Sequence, residues 1–75
     1  MNNDKRDRLR KAVSLLQEAS DITSDVLDEE QDCLDNIPEN LQYSDRYEAM
    51  ETAVDKLEDA IDSIDEAITN IEEAI

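Results

Sequence analysis

The 75-residue chain contains no histidine, glycine, phenylalanine or tryptophan, and it has only one proline and one cysteine. Without histidine, Cys/His zinc sites and histidine-dependent acid–base catalysis are excluded. The single cysteine, Cys33, cannot form a disulfide within the chain. Because turn-forming glycines and most aromatic strand formers are missing, a β-sheet is disfavoured and the sequence predicts an all-α protein.

Long apolar segments are absent as well. No run approaches the roughly 20 apolar residues that a membrane-spanning helix needs, and residues 1–6 lack the apolar region of a signal peptide. We therefore expect a cytoplasmic protein without a membrane partner. At this length a single core rarely supplies more than about 3–5 kcal/mol of stability, so we expect help from oligomerisation.

Charge is abundant and mostly negative, with a formal net charge of −15. Residues 1–11 have five of the seven basic side chains against two carboxylates, a balance of +3. Residues 12–75 have 20 acidic side chains against Arg46 and Lys56, a balance of −18. Such a surface repels nucleic acid and anionic membranes, so we expect no direct nucleic-acid binding. Any partner attracted over long range would be basic.

The pattern that organises the chain lies between residues 50 and 75, where apolar residues recur at alternating steps of four and three. This heptad spacing predicts a coiled-coil-like helix with one apolar seam. The seam consists of Met50, Val54, Leu57, Ile61, Ile64, Ile68, Ile71 and Ile75.

A first helix is predicted over about residues 3–34 and a second over about residues 44–75. Residues 35–43 form the connector, in which Pro38 ends the first helix and favours a short helical turn over 38–42. Ile37 and Leu41 are expected to turn inward, and Ser44 is expected to cap the second helix. Because the two helices match in length, they should fold back as one antiparallel hairpin domain.

The apolar residues of the first helix span an arc of roughly 160°, wider than the ~100° stripe of an ordinary surface helix. One partner helix would not cover it. We therefore predict a homodimer of hairpins, a four-helix bundle, with one of two columns at the dimer contact. The alternatives are the column of Val13, Leu27 and Leu34 and the column of Leu15 and Ile22.

Small residues predict how the two helices meet within one chain. The second helix has alanine at every seventh position beside its seam, which allows the backbones to approach closely. If the hairpin folds about the middle of its connector, these alanines face small residues of the first helix, and the Ile-rich side is left to contact a second hairpin. The same register places Arg6 near Glu73. The predicted pairs of small residues are Ala12 with Ala67, Ala19 with Ala60, and Val26 with Ala53.

The segment from Asp35 to Glu51 reads DNIPENLQYSDRYEAME, and AVDKLEDAI follows from Ala53. Together with the rest of residues 35–75, this segment resembles small acidic helical proteins of Gram-positive bacteria and their phages that share an NxPENLQxSxRxE-like segment. The resemblance suggests a bacterial or phage genomic neighbourhood. It implies no site residues.

Carboxylates are numerous but fall on the solvent-facing columns of the second helix, whereas acid–base catalysis requires carboxylates in differing environments inside a pocket. We therefore expect no catalytic residue, no cofactor and no metal ion, and we predict that the protein is not an enzyme. Two tyrosines near the connector are the only aromatic anchors for an interface. The candidate partner-binding residues are these tyrosines and a set of carboxylates: Tyr43, Tyr47, Asp28, Glu29, Glu30, Asp32, Glu51, Asp55, Glu58 and Asp62.

Two functions are consistent with these features. The first is a non-enzymatic module that associates with itself and presents an acidic surface and a tyrosine-bearing tip to another, unidentified protein. The second is an acidic mimic of DNA that inhibits a host nucleic-acid-binding protein or defence effector, in the manner of anti-restriction or anti-CRISPR proteins. Salt dependence and competition by duplex DNA distinguish the two.

Overall fold

The computed structural model describes all residues from Met1 to Ile75. Helix α1 covers Asn3–Asp35, helix α2 covers Asp45–Ala74, and a short 3-10 turn, Glu39–Leu41, lies between them. No strand is present. The all-α prediction is confirmed, and the predicted helix ends agree with the structure to within one residue.

Helix α1 is capped at each end by an asparagine whose side chain completes the backbone hydrogen bonding. At the N-terminus, the Oδ1 of Asn2 accepts a hydrogen bond from the backbone N–H of Lys5 at 2.8 Å. At the C-terminus, the Nδ2 of Asn36 donates to the carbonyl oxygen of Asp32 at 2.7 Å. These bonds satisfy groups that a helix end leaves unpaired, so α1 stays helical through its acidic C-terminal turns.

Ser44 joins the connector to α2. Its Oγ accepts a hydrogen bond from the backbone N–H of Tyr47 at 3.2 Å, as predicted for the N-cap, and donates to the carbonyl oxygen of Leu41 at 2.9 Å.

Ile37 is half-buried as predicted, but Leu41 is 51% exposed, so the inward orientation predicted for Leu41 is wrong. Because the connector contains one 3-10 turn and no α-helical turn, residues four apart do not stack on one face there.

The two helices lie side by side in a molecule of 59 × 15 × 13 Å. A helix of 33 residues is about 50 Å long, so the long axis accommodates one helix length and not two. The short axes accommodate two helices at the usual separation of about 8–10 Å. The chain is therefore an antiparallel hairpin, as predicted.

The residues of α1 that turn toward α2 follow a heptad spacing of their own. Val13 is buried, and the others are half-buried. Polar residues interrupt the series, and one of them, Thr23, satisfies its hydroxyl by donating to the carbonyl oxygen of Ala19 at 2.7 Å. We call this set the inner series of α1; it consists of Arg6, Leu9, Val13, Leu16, Ser20, Thr23, Leu27, Glu30 and Leu34.

The seam of α2 lies against the inner series. Val54 is buried, and the other seven seam residues, from Met50 to Ile75, are half-buried. Val13 and Val54 are the only two buried residues in the chain. A rod of two helices therefore shields its apolar contact only in part, because each helix is covered on one side alone.

Charged side chains occur along the whole of both helices. Neither α1 nor α2 combines the length and the apolar composition that crossing a lipid bilayer requires.

Candidate interaction surfaces

A second heptad series runs along α1 beside the inner series. Each of its residues precedes an inner-series residue by one position, so the two series lie about 100° apart around the helix. We call this second set the outer stripe; it consists of Lys5, Arg8, Ala12, Leu15, Ala19, Ile22, Val26, Glu29 and Cys33.

The outer stripe is exposed over most of its length. Leu15 is 57% exposed, Ile22 is 59% exposed and Val26 is 42% exposed. Ala19, which lies among them, is exposed as well. Single exposed apolar side chains are ordinary on protein surfaces, whereas a contiguous apolar patch is a candidate interaction site.

Of the two columns predicted at the dimer contact, only one is free in the hairpin. Val13 is buried and Leu27 and Leu34 are half-buried in the inner series, so α2 covers that column. Leu15 and Ile22 belong to the outer stripe and remain accessible to a second hairpin.

The small residues of the two helices do not all meet as predicted. The α2 alanines and Ala12 are half-buried, but Ala19 and Val26 are exposed, so the close contact predicted for these two does not hold. The inner series points at α2, and this orientation places the outer stripe, about 100° away, at the rim of the contact. The α2 alanines concerned are Ala53, Ala60 and Ala67.

The Ile-rich side of α2 is partly covered by α1 in the hairpin. Every isoleucine from Ile61 to Ile75 is half-buried, and no residue of α2 is among the large hydrophobic side chains that remain exposed. The outer stripe is more exposed and is therefore the better candidate for that contact, while the contact of the Ile-rich side with a second hairpin stays a prediction. Because the α2 seam is a single narrow column, one helix covers it, whereas α1 has two apolar columns and α2 covers only one.

The outer stripe and the alanine column of α2 flank the same side of the hairpin. In an antiparallel helix pair, residues that hold the same position relative to the contact on their own helix lie on the same side of the pair. Each outer-stripe residue directly precedes an inner-series residue, and each alanine of the column directly precedes a seam residue of α2. The opposite flank of α2 is acidic and exposed, with Glu51, Glu58, Asp65 and Glu72. One side of the rod is therefore apolar and the other is negatively charged.

Acidic side chains cover most of the remaining surface. Of the 22 carboxylates, 21 are exposed, and only Glu30 is half-buried. The other carboxylates predicted to bind a partner accordingly lie on the surface: Asp28, Glu29, Asp32, Glu51, Asp55, Glu58 and Asp62.

Only two ion pairs form, and both join neighbours in the first turns of α1. The Nε of Arg8 lies 3.3 Å from the Oδ2 of Asp4, and the Nη1 of Arg10 lies 2.9 Å from the Oδ1 of Asp7. The carboxylates of α2 have no basic partner within the chain. Their charge is therefore available to an external cation or a basic protein.

Arg6 belongs to the inner series, and its Nε is buried without a hydrogen-bond partner. The predicted register placed Arg6 near Glu73, but no ion pair joins the two helices. An unsatisfied buried donor costs about 1–3 kcal/mol. The basic N-terminal turns of α1 are thus compensated only by their own aspartates.

The connector end of the rod offers a different surface. Tyr43 is 93% exposed whereas Tyr47 is half-buried, so only Tyr43 is a free aromatic anchor. An open cleft of about 660 Å³ lies at this end. Cys33 belongs to both the cleft and the outer stripe, so the two surfaces are continuous. The other principal lining residues are Ile37, Pro38, Leu41, Arg46 and Met50.

Potential metal ligands do not converge. No three of the Cys, Asp and Glu side chains come together in an arrangement that could hold a metal ion. Asp32 is the one carboxylate that lines the cleft. What the molecule presents to its surroundings is an apolar stripe, an acidic surface and an aromatic tip.

Comparison of the chain with protein-family models, with curated proteins and with solved structures gives no match. Function is therefore inferred from the surfaces described above.

Sequence reasoning missed the charged ends of the outer stripe. Lys5 and Arg8 lie at its beginning and Glu29 lies near its end, and all three are exposed. The signal was present in the spacing, since these residues continue the same steps of three and four as the apolar members.

Proposed function

We propose that the protein is a non-enzymatic helical module that acts through protein–protein contacts. Two hairpins pair through their outer stripes into a four-helix bundle, and the Tyr43 tip, beside the acidic surface, packs against another protein. The exposed apolar stripe of α1 is the observation that supports this proposal most, because burying such a stripe in a contact with another protein is favourable.

The accessible area of a single hairpin supports pairing. One chain exposes 5641 Å², whereas a folded monomer of 8.6 kDa is expected to expose roughly 4700 Å². The difference of roughly 900 Å² is close to the area of about 800 Å² that each partner buries in a standard interface. Pairing would therefore bring the exposed area of each chain into the ordinary range.

The composition of the stripe suits helix–helix packing. Ala12 and Ala19 allow two backbones to approach closely, and Leu15, Ile22 and Val26 supply the branched side chains that fill such a contact. With the α2 alanine column on the same side, the paired hairpins would bury a continuous apolar face.

Analytical ultracentrifugation at micromolar concentration tests the pairing. We expect the wild-type chain to sediment as a dimer and the Ile22→Glu variant to sediment as a monomer, because a carboxylate buried at the contact is costly. The matched control is Gln17→Glu, which adds the same charge at an exposed position on the opposite flank of α1 and should remain a dimer. A folded wild-type monomer at this concentration would contradict the proposal.

Affinity capture from the source cell at low and high salt tests the contact with another protein. If packing around Tyr43 holds the partner, binding tolerates salt and is lost in the Tyr43→Ala variant. The Tyr43→Phe variant keeps the ring and should retain most of the binding. Capture that is unchanged by Tyr43→Ala would exclude the tip as the binding site.

A second candidate function is mimicry of DNA, and the charge spacing of the rod favours it. One hairpin has a charge of −15 over 59 Å, about one charge per 4 Å. Two hairpins side by side would have about one charge per 2 Å, close to the spacing of about 1.7 Å in duplex DNA. A phage or mobile-element origin, which the resemblance of residues 35–75 suggests, would supply host targets for such a mimic.

Mimicry and packing predict different responses of the captured complex. A mimic binds a basic DNA-binding protein, its binding weakens steeply between low and high salt, and duplex DNA competes for the partner. Removing the Tyr43 ring should then have little effect. Salt-tolerant capture that duplex DNA does not displace would exclude mimicry.

A further inference from the structure

We propose that the two hairpins pair with their α1 helices antiparallel, so that the outer stripe of each copy docks on the outer stripe of the other with Ala19 next to the two-fold axis. This inference rests on the self-association proposed above. It adds the direction and the register of the contact.

The outer stripe has opposite charges at its two ends. Lys5 and Arg8 begin the stripe and Glu29 lies near its end, and all three side chains are exposed. An antiparallel partner places Arg8 of one copy beside Glu29 of the other, and symmetry repeats this pair. A parallel partner would place Arg8 beside Arg8 and Glu29 beside Glu29, which costs energy because like charges meet.

The apolar part of the stripe is nearly symmetric about Ala19. Ala12 and Val26 lie seven residues before and after it, and Leu15 and Ile22 lie four before and three after. Turning one stripe end for end about Ala19 therefore places Leu15 against Ile22 and Ala12 against Val26. The small side chain of Ala19 at the centre allows the two α1 helices to approach closely there.

The net charges of the two ends of α1, stripe residues included, favour the same direction. Residues 1–11 have a balance of +3, whereas residues 25–35 contain six carboxylates and no basic side chain. In an antiparallel pair each basic end of α1 lies beside the acidic end of the other copy, whereas a parallel pair brings the two acidic ends together. Because each chain has a net charge of −15, the direction that separates the acidic ends has the lower electrostatic energy.

The antiparallel contact uses the same surface on both copies, so it is isologous and closes after two chains. It leaves the α2 helices, with their rows of carboxylates, on the outside of the assembly. A closed pair therefore covers the apolar stripes and keeps the acidic surface accessible.

The native cysteine reports the direction of the contact. Cys33 is exposed and is the only thiol in the chain. In the antiparallel pair, position 33 of one copy lies beside position 5 of the other, so the two Cys33 thiols are about 40 Å apart. In a parallel pair the two Cys33 thiols would be in contact and could form a disulfide.

The experiment is mild oxidation of the dimeric protein followed by non-reducing electrophoresis. We expect the wild-type chain to remain unlinked and the Lys5→Cys variant, with its native Cys33, to form a covalent dimer. The matched control is Arg10→Cys, which also removes one positive charge but lies on the opposite flank of α1, and it should remain unlinked. Sedimentation of the same samples establishes that they are dimers before oxidation.

The outcomes separate this inference from the self-association on which it rests. Covalent dimers of the wild-type chain through Cys33 would show parallel pairing and overturn the inference, while self-association would stand. A ladder of higher multimers from Lys5→Cys would show an open head-to-tail assembly, and an unlinked Lys5→Cys dimer would show a different register; either result overturns the inference. A wild-type monomer by sedimentation would overturn the self-association and the inference together.

Discussion

Leu15 and Leu16 are neighbours in the sequence but lie on different surfaces, since Leu16 is half-buried against α2 whereas Leu15 is 57% exposed. One residue corresponds to a rotation of about 100° around an α-helix. The inner series, which includes Leu16, closes the hairpin, and the outer stripe, which includes Leu15, is available to a second copy. The two leucines therefore form a matched pair with which folding and the proposed assembly can be tested separately.

Truncation of these leucines should affect stability in different ways. Leu16→Ala should lower the free energy of unfolding by about 1–2 kcal/mol at every protein concentration, less than the roughly 2–5 kcal/mol of a fully buried leucine, because the side chain is only half-buried. Leu15→Ala should leave the melting temperature of dilute protein nearly unchanged. It should reduce the increase of the melting temperature with protein concentration. Circular dichroism melts from about 1 to 100 μM measure both effects. Identical concentration dependence in the two variants would contradict this separation.

The α2 seam can be tested with two adjacent substitutions to aspartate. Ile64→Asp places a carboxylate in the half-buried contact and should lower the free energy of unfolding by about 3 kcal/mol or more, enough to unfold a hairpin of this size. Ser63→Asp adds the same charge at an exposed position and should change stability by no more than about 0.5 kcal/mol. Far-UV circular dichroism at 25 °C reads out both. A helical signal that survives Ile64→Asp would show that the seam does not hold the helices together.

Arg6 is expected to be a destabilising residue of the inner series. Its buried Nε lacks a hydrogen-bond partner, so Arg6→Met should raise the free energy of unfolding by about 1 kcal/mol. Arg10→Met is the control: it removes an exposed ion pair with Asp7 and should lower stability by no more than about 1 kcal/mol. Urea denaturation of the three proteins measures the differences. Loss of stability in Arg6→Met would mean that the guanidinium has a stabilising partner.

Charge reversal tests the antiparallel pairing independently of the thiols. Arg8→Glu alone and Glu29→Arg alone should each weaken dimerisation roughly tenfold, because each breaks two symmetry-related pairs. The double variant restores opposite charges and should regain most of the affinity. Sedimentation equilibrium gives the dimer dissociation constants, and circular dichroism checks that the hairpin remains folded. Additive losses in the double variant would argue against the contact between Arg8 and Glu29.

The helices and their ends could be predicted from the sequence because they depend on local interactions. The steps of four and three from Met50 to Ile75 predicted α2, and Pro38 and Ser44 marked the break and the restart. Leu41 could not be placed in this way, since its exposure depends on whether the connector forms a 3-10 or an α-helical turn. The burial of the Arg6 Nε atom also escaped prediction, because charge alone suggested a surface position.

The candidate site was predictable only as a pair of alternatives. Helix α1 has two heptad series, both partly apolar and both spaced correctly for a helical contact, so composition and periodicity could not decide which series faces α2. The sequence by itself determined two long helices, a hairpin, and more apolar surface on α1 than one helix can cover. Only the tertiary structure decided that Val13 and Leu16 face α2 while Leu15 and Ile22 face outward. The physical reason is that the rotation of α1 about its own axis is set by packing against α2, which no local pattern within α1 specifies.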